Sequence, residues 1–364
     1  MEGINKRISF TVTNDLVFDQ RMSRICNSLH KAGYRVTLIG RKRKQSPALQ
    51  LQPYSQKRIP CFFEKGKLFY IEYTIRLTWY LLLNKFDIYA AIDTDTLLPN
   101  TFISRIKSRK LVFDAHEYFT EVPELKGRKW IQKCWEWTEL ACIRHTHLRY
   151  TVSKSLAMIF TDQHHLTFHV IRNVPLLSET NNNVQATDAV ILYQGDLNPG
   201  RGLEEILDCM PQLNATFRVA GDGPIRSILE EQIRQLGIEN KVELLGYVQP
   251  DALRKLTAEA TIGINLLSDD SLSYRYSLSN KFFNYMHAAI PQICADFPEY
   301  QLINAEYEVA VLSALHKESI LKSIERLLSD HAYYAQLQAN CRAARTQFNW
   351  QLEEQHLIRL YNEL

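Results

Sequence analysis

Between residues 189 and 267 the chain repeats one pattern four times. The apolar runs are AVILYQG at 189–195, TFRVAG at 216–221, VELLG at 242–246 and ATIGINLL at 260–267, and each of the first three meets a glycine. Polar stretches of helical character separate most of them. This rhythm belongs to a parallel sheet with helical crossovers, an α/β fold. In such sheets a ligand sits beyond the carboxyl ends of the strands. Glycines and charges gather at those ends here, so this half is expected to hold a phosphate-bearing ligand.

A chain of 364 residues is long for one core, and two domains are the default. The 43 basic and 40 acidic side chains leave a net charge of +3, which gives no electrostatic case for nucleic acid as a partner. The seven cysteines are scattered, with no Cys-x-x-Cys pair, and read as reduced thiols of a cytoplasmic protein. The N-terminus runs straight into a strand without a signal-peptide pattern. The most apolar stretch, 66–85, carries Lys67, Glu72, Arg76 and Lys85, too many charges for a membrane span. The basic run at 40–44 reads as a solvated loop or as a peripheral membrane contact.

In the first half, strands are expected at 8–13, 35–40, 87–93, 110–115, 149–152 and 168–172. A helix is expected at 19–32, where Met22, Ile25, Cys26 and Leu29 share one face and Gly33 closes the C-terminus. This half is therefore doubly wound as well. The Asn-rich segment 178–188 reads as a linker between domains at 1–177 and 189–346. The tail, 347–364, reads as a helix whose stripe Leu357, Leu360, Tyr361 and Leu364 must dock on a core, with the N-terminal domain one option.

Several positions can carry chemistry. Gly200 and Gly202 flank Arg201 in a turn between a strand and a helix, where backbone amides, a helix dipole and a guanidinium suit an anion. The run from Ser277 to Ala288, read as one helix, puts Ser277, Lys281, Asn284 and Ala288 on a face opposite the apolar Phe282, Tyr285, Met286 and Ala289. Lys281 there is either a phosphate ligand or a solvated lysine. His116 and Glu117 end a strand and can serve as acid, base or sugar ligand, or simply lie in a loop. Asp93 and Asp95 form an Asp-x-Asp pair that could hold a divalent ion. No other acidic cluster can be placed beside them, so they read as a polar turn. Aromatic Phe69, Tyr70, Tyr73, Trp79 and Tyr80 beside Arg76 fit either core packing or a lipid interface.

The second half resembles the nucleotide-sugar-binding domain of glycosyltransferase family 4. The matching runs are YQGDL at 193–197, Arg201 with Gly202, VAGDGP at 219–224, LGYV at 245–248 and SNKFFNYM at 279–286, with FNW at 348–350 before the last helix. NDLVFDQRM at 14–22, FDAHE at 113–117 and VIRNVP at 170–175 extend the resemblance to a bacterial subgroup. It implies a GT-B fold, two Rossmann-like doubly wound domains facing across a cleft, with the acceptor on the first. It implies a retaining, metal-independent hexosyltransferase of polysaccharide biosynthesis whose co-substrate is a UDP- or GDP-linked sugar and whose acceptor is a glycan or lipid-linked. By the same resemblance Arg201 and Lys281 meet the diphosphate, His116 faces the transferred sugar and Glu117 aids near the acceptor. Gly195, Gly200, Gly202, Gly221, Gly223, Ser279, Asn280 and Asn284 surround the donor, with Gly246, Tyr247 and Val248 by its base. Family members often carry two carboxylates where this chain has Tyr276 and Asn284, and an arginine where it has Asp196. Those departures keep open a sugar-nucleotide epimerase or hydrolase of the same fold, or a non-catalytic sugar-nucleotide-binding scaffold.

Overall fold

The structure, a computed structural model, describes residues 5–17, 19–178 and 189–364. The expected linker therefore lies, apart from Ser178, outside the described residues, as does Phe18. The chain divides into two compact units, Met1–Asn173 with Glu353–Leu364, and Val174–Leu352.

The first unit is built from β1 (Arg7–Thr11), α1 (Gln20–Lys31), β2 (Arg35–Lys42), β3 (Ser55–Pro60), α2 (Gly66–Leu83), β4 (Ile88–Ile92), α3 (Thr94–Ile106), β5 (Lys110–Ala115), α4 (Lys129–Ile143), β6 (Leu148–Thr151), α5 (Lys154–His164) and β7 (His169–Val170). The strands form one parallel sheet in the order β3-β2-β1-β4-β5-β6-β7. Helix α1 starts where Asp19 accepts a hydrogen bond from the Met22 amide at 2.9 Å. It buries Met22, Ile25, Cys26 and Leu29. Strand β3 is absent from the sequence reading because SQKRIP has no apolar run. It is an edge strand that pairs only with β2 and buries only Ile59. The strand expected over 168–172 is shorter than read, reduced to the two residues of β7.

The second unit contains β8 (Val190–Gln194), α6 (Leu203–Cys209), β9 (Thr216–Ala220), α7 (Arg226–Leu236), β10 (Val242–Gly246), α8 (Pro250–Glu259), β11 (Ile262–Asn265), α9 (Leu272–Arg275), α10 (Asn280–His287), β12 (Gln292–Ala295), α11 (Pro298–Tyr307), β13 (Ala310–Ser313), α12 (Lys317–Ser329), α13 (His331–Ala344) and the start of α14 (Trp350–Asn362). Its parallel sheet runs β10-β9-β8-β11-β12-β13. The core lies where Ile191, Phe217, Val219, Ile262 and Ile293 of the strands meet Ile206, Leu229, Ile233, Ile320 and Ile324 of the helices.

Each sheet reverses its strand order once, between β1 and β4 in the first unit and between β8 and β11 in the second. At such a point the two crossovers leave in opposite directions, and a crevice opens beyond the strands' carboxyl ends.

Candidate functional site

The second unit gathers two cations at its switch point, the buried Lys281 and the half-buried Arg201. Strand β8 ends at Gln194 and β11 leads to Ser268, and between them α10 delivers Lys281 from its first turn. The helix begins at Asn280, with Ser279 as N-cap, so Ser277 lies before it and does not share its face. Lys281 is not solvated either. It is 8% exposed, and its Nζ stands 3.9 Å from the centroid of the Tyr193 ring. The Tyr193 hydroxyl donates to the Asp196 carbonyl at 2.7 Å, which fixes that ring.

Arg201 lies with its guanidinium 4.8 Å from the Tyr274 centroid. Burial first, and then the Arg201 charge, hold the Lys281 ammonium well below its ordinary pKa. No partner among the described residues reaches the buried atoms Lys281 Nζ, Arg201 Nε, Ser268 Oγ or Gln194 Nε2. Unmet buried donors are costly, about 1–3 kcal/mol each and more when charged. The two cations, with the Ser268 hydroxyl packed against Gly200 beside Arg201, form a donor set suited to an anion with several oxygens. Ser279 turns its hydroxyl to Asn265 Oδ1 at 2.6 Å, so α10 begins without a side-chain cap and its dipole adds to the set. Asn284 is half-buried one turn further on, and Tyr276 is half-buried at the end of α9.

The glycines have structural explanations of their own. A Cβ on Gly221 would lie 1.8 Å from the Gly195 carbonyl oxygen, and one on Gly223 would lie 2.5 Å from that of Leu197. A Cβ on Gly200 would meet Ser268 Oγ at 2.4 Å, and one on Gly202 would meet Leu266. These glycines let the chain pack on itself at the strand ends, and that close packing holds Ser268 and the 195–202 loop in place. Gly246 bridges to Gly221, Tyr247 is exposed, and Val248 packs on the cluster around Tyr285 and Ala288. Asn280 is exposed.

The switch point of the first unit is acidic. His116 follows β5, and its Nε2 lies 2.9 Å from Asp114 Oδ2 while Nδ1 lies 3.8 Å from Asp93 Oδ2. Its backbone amide donates to Asp93 Oδ1 at 2.7 Å. Burial works to lower the His116 pKa, but Asp114 and Asp93 outweigh it and the net shift is upward. A ring flanked by carboxylates that favour its protonation is suited to orienting and donating more than to acting as a base. Asp114, fully buried, is kept below the usual carboxylate range by Arg21 and His116 in spite of burial.

Arg21 is the residue that sequence reasoning missed. It bonds Asp114 at 3.0 Å and the Ile171 carbonyl at 2.9 Å, and so ties together all three of the first-half runs. Its place on the buried i, i+4, i+8 face of α1, with Ile25 and Leu29, was the available signal.

The Asp-x-Asp pair is not an isolated polar turn. Asp93, Asp95 and Glu117 line one cavity of about 240 Å3 with Thr13, Asn14 and Tyr70. Asp93 adopts φ 57°, a left-handed conformation that costs about 1–3 kcal/mol in a residue other than glycine. Asp95 accepts the Thr13 hydroxyl at 2.6 Å. Burial, with the Glu117 charge adding to it, pushes its pKa up to about 7 against that hydrogen bond. Asn14, Thr13 and Tyr70 also face a second hollow of about 330 Å3 that carries Arg41, Arg43 and Lys65 at the start of α2. Among the described residues no group of three or more His, Cys, Asp or Glu is arranged to hold a metal ion.

Residues 20–174 match the family model described as Glycosyltransferase Family 4, and residues 188–330 match the one described as Glycosyl transferases group 1. Over 83 residues the chain is 37% identical to an uncharacterised glycosyltransferase of Methanocaldococcus jannaschii, a match that takes in 22% of this chain and 21% of that protein. At 14% identity the fold matches sucrose-phosphate synthase of Thermosynechococcus elongatus, with a TM-score of 0.80 over 99% of both chains. HepE of Anabaena in complex with UDP-glucose, also 14% identical, matches with a TM-score of 0.78 over 99% of this chain and 100% of that one.

Proposed function

Because the chain belongs to the family 4-like group of glycosyltransferases and has their GT-B architecture of two Rossmann-like units, we propose that it moves a hexose from a nucleotide-diphosphate donor to a glycan or lipid-linked acceptor, with retention and without a metal. The observation that carries this reading is the buried Lys281 beside the half-buried Arg201, with Lys281 Nζ and Arg201 Nε unmet among the described residues. A sugar pyrophosphate has the oxygens to satisfy them. The complex of HepE with UDP-glucose supports a uridine nucleotide as donor.

As the sugar–phosphate bond breaks, negative charge grows on the leaving diphosphate and the sugar becomes oxocarbenium-like. Lys281, Arg201 and the N-terminus of α10 stabilise that charge where it develops. Asn284 supplies a donor and an acceptor for a ribose hydroxyl where relatives carry a carboxylate. In the first unit, His116, whose protonation Asp114 and Asp93 favour, is suited to donate to a sugar hydroxyl. Asp95, poised near neutrality, accepts from an acceptor hydroxyl, with Glu117 beside it. The adjoining basic hollow suits an acceptor that bears a phosphate or carboxylate. Front-face attack, with the leaving phosphate taking the acceptor's proton, fits these groups.

Calorimetry with UDP, GDP and their sugars tests the donor half of this reading. One nucleoside diphosphate should bind, and Arg201→Ala and Lys281→Met should each weaken it at least about tenfold, or about 1.4 kcal/mol. Binding by neither nucleotide, or undiminished binding by both variants, would overturn it.

A further inference from the structure

The first unit carries a surface that the transferase reading does not use. Helix α3 packs between α2 and α4. Helix α2 buries Phe69, Tyr73, Leu77 and Leu81 against the sheet, yet its opposite face is just as apolar. That face exposes Leu68, Ile71, Ile75, Trp79, Leu82 and Leu83, with Trp79 60% and Leu83 77% exposed. A helix that is apolar on two opposite faces, with its charges Lys67, Glu72 and Arg76 at the flanks, has one face to set against something other than water. Its neighbours continue the surface, α3 with Leu98, Phe102 and Ile106, and α4 with Trp130, Ile131, Trp137 and Leu140. Half of the large exposed apolar side chains among the described residues therefore lie on three adjacent helices, so this is a patch and not scatter.

The exposed charges around this patch are predominantly basic. Among the described side chains from 66 to 144, ten basic residues are exposed and only one acidic residue, Glu117, is exposed. Glu72 is bonded to the Phe62 and Phe63 amides and to Arg76, and Asp87 pairs with Arg7 and Arg109. Where α3 and α4 end, a hollow of about 790 Å3 opens among Lys6, Arg105, Arg109, Lys110 and Arg144, with His145 and His147 on its wall. Its one acidic side chain, Asp87, is already taken by Arg7 and Arg109.

We propose that the outer face of α2, α3 and α4 docks on the surface of a bilayer containing anionic lipids, with acidic headgroups received at the cationic hollow. Tryptophans beside lysines and arginines on an apolar helical face suit the boundary between acyl chains and headgroups. A second copy of the chain is a poor occupant, because a self-complementary interface would bring a strongly basic surface against itself. The contact is peripheral, since among the described residues no helix is long and apolar enough to cross a membrane. Helix α2 also brings Phe69 and Tyr70 to the basic hollow beside the acidic cavity, so docking by its outer face carries an acceptor pocket to the bilayer.

Flotation of the full chain with vesicles tests this without donor or turnover, so its failure and that of the transferase reading are separate events. The chain should float with vesicles of equal parts phosphatidylglycerol and phosphatidylcholine, and not with phosphatidylcholine alone. Added salt should release it. Trp79→Glu with Trp137→Glu changes only exposed side chains, and Arg105→Glu with Arg144→Glu reverses charge at the hollow. Each pair should cut binding at least about tenfold while leaving the thermal midpoint unchanged. Indifference to lipid charge, undiminished flotation of the tryptophan pair, or a solution dimer that the tryptophan pair dissolves would overturn the proposal, the last giving the face to a second copy.

Discussion

Lys281 is the residue whose behaviour says most about the chain. It is buried beside Arg201 with no carboxylate bonded to it, and its pKa is pulled down by burial and by that neighbour. A lysine lowered in the folded state binds fewer protons than it does unfolded. Without an anion, stability therefore rises with pH between the depressed value and the ordinary lysine range near about 10.4. A bound diphosphate restores the charged form and lifts the pKa, so binding within that window takes up a proton. Calorimetry of UDP binding at alkaline pH, in buffers of different ionisation enthalpy, should show proton uptake in the wild type and none in Lys281→Met. Equal uptake by both would assign the proton elsewhere. The sequence reached Lys281 and Arg201 by resemblance but could not show that the lysine is buried, because Phe282, Phe283 and Tyr285 look the same beside a solvated lysine. Asp95 was read wrongly for a different reason. Its partner Thr13 is 82 residues away in sequence, and only the pairing of β1 with β4 brings the two together.

At the scale of elements, the glycines of the second unit mark places where two strand ends touch. Gly221 and Gly195 close the carboxyl ends of β9 and β8 over each other. Gly221→Ala would drive a methyl into the Gly195 carbonyl, which is backbone and has no rotamer to yield. It should cost about 2 kcal/mol or more in urea denaturation and weaken diphosphate binding by moving the 195–202 loop. An alanine variant with unchanged midpoint and affinity would mean that the loop relaxes freely. The same elements explain what could be read beforehand. Buried parallel strands such as VILYQ and LVFDA announce themselves as apolar runs. Strand β3 does not, since an edge with one neighbour and a polar face needs no such run. The start of α10 was misjudged because Ser277, Lys281 and Asn284 keep helical spacing across a break. The chain leaves α9 and re-enters helix at Asn280, and spacing alone does not reveal the turn between them.

At the scale of the whole molecule, the first unit is made of two chain segments that flank the second unit in sequence. Residues 353–364 supply part of its core. Tyr361 is fully buried, with its ring 6.1 Å from Phe10, 6.2 Å from Tyr34 and 6.4 Å from Tyr150. Its hydroxyl lies 3.2 Å from that of Tyr150. Glu353 accepts the Arg172 amide at 3.0 Å and pairs with its guanidinium at 3.2 Å, and Ser28 donates to Glu354 at 2.5 Å. Losing one buried aromatic of this size costs about 3–5 kcal/mol. A domain is stable by only about 5–15 kcal/mol, so loss of the whole segment should exceed what the unit has. Tyr361→Ala should therefore weaken the first unit by about 3–5 kcal/mol, and a chain ended at Leu352 should leave it unfolded. Hydrogen exchange resolved along the chain separates the two units. In the truncated chain, β1, β4 and β5 should exchange as an unfolded segment while β8, β9 and β11 stay protected. Protection surviving in β1 would show that the first 173 residues hold their own core, and that the last turns of α14 only cover it.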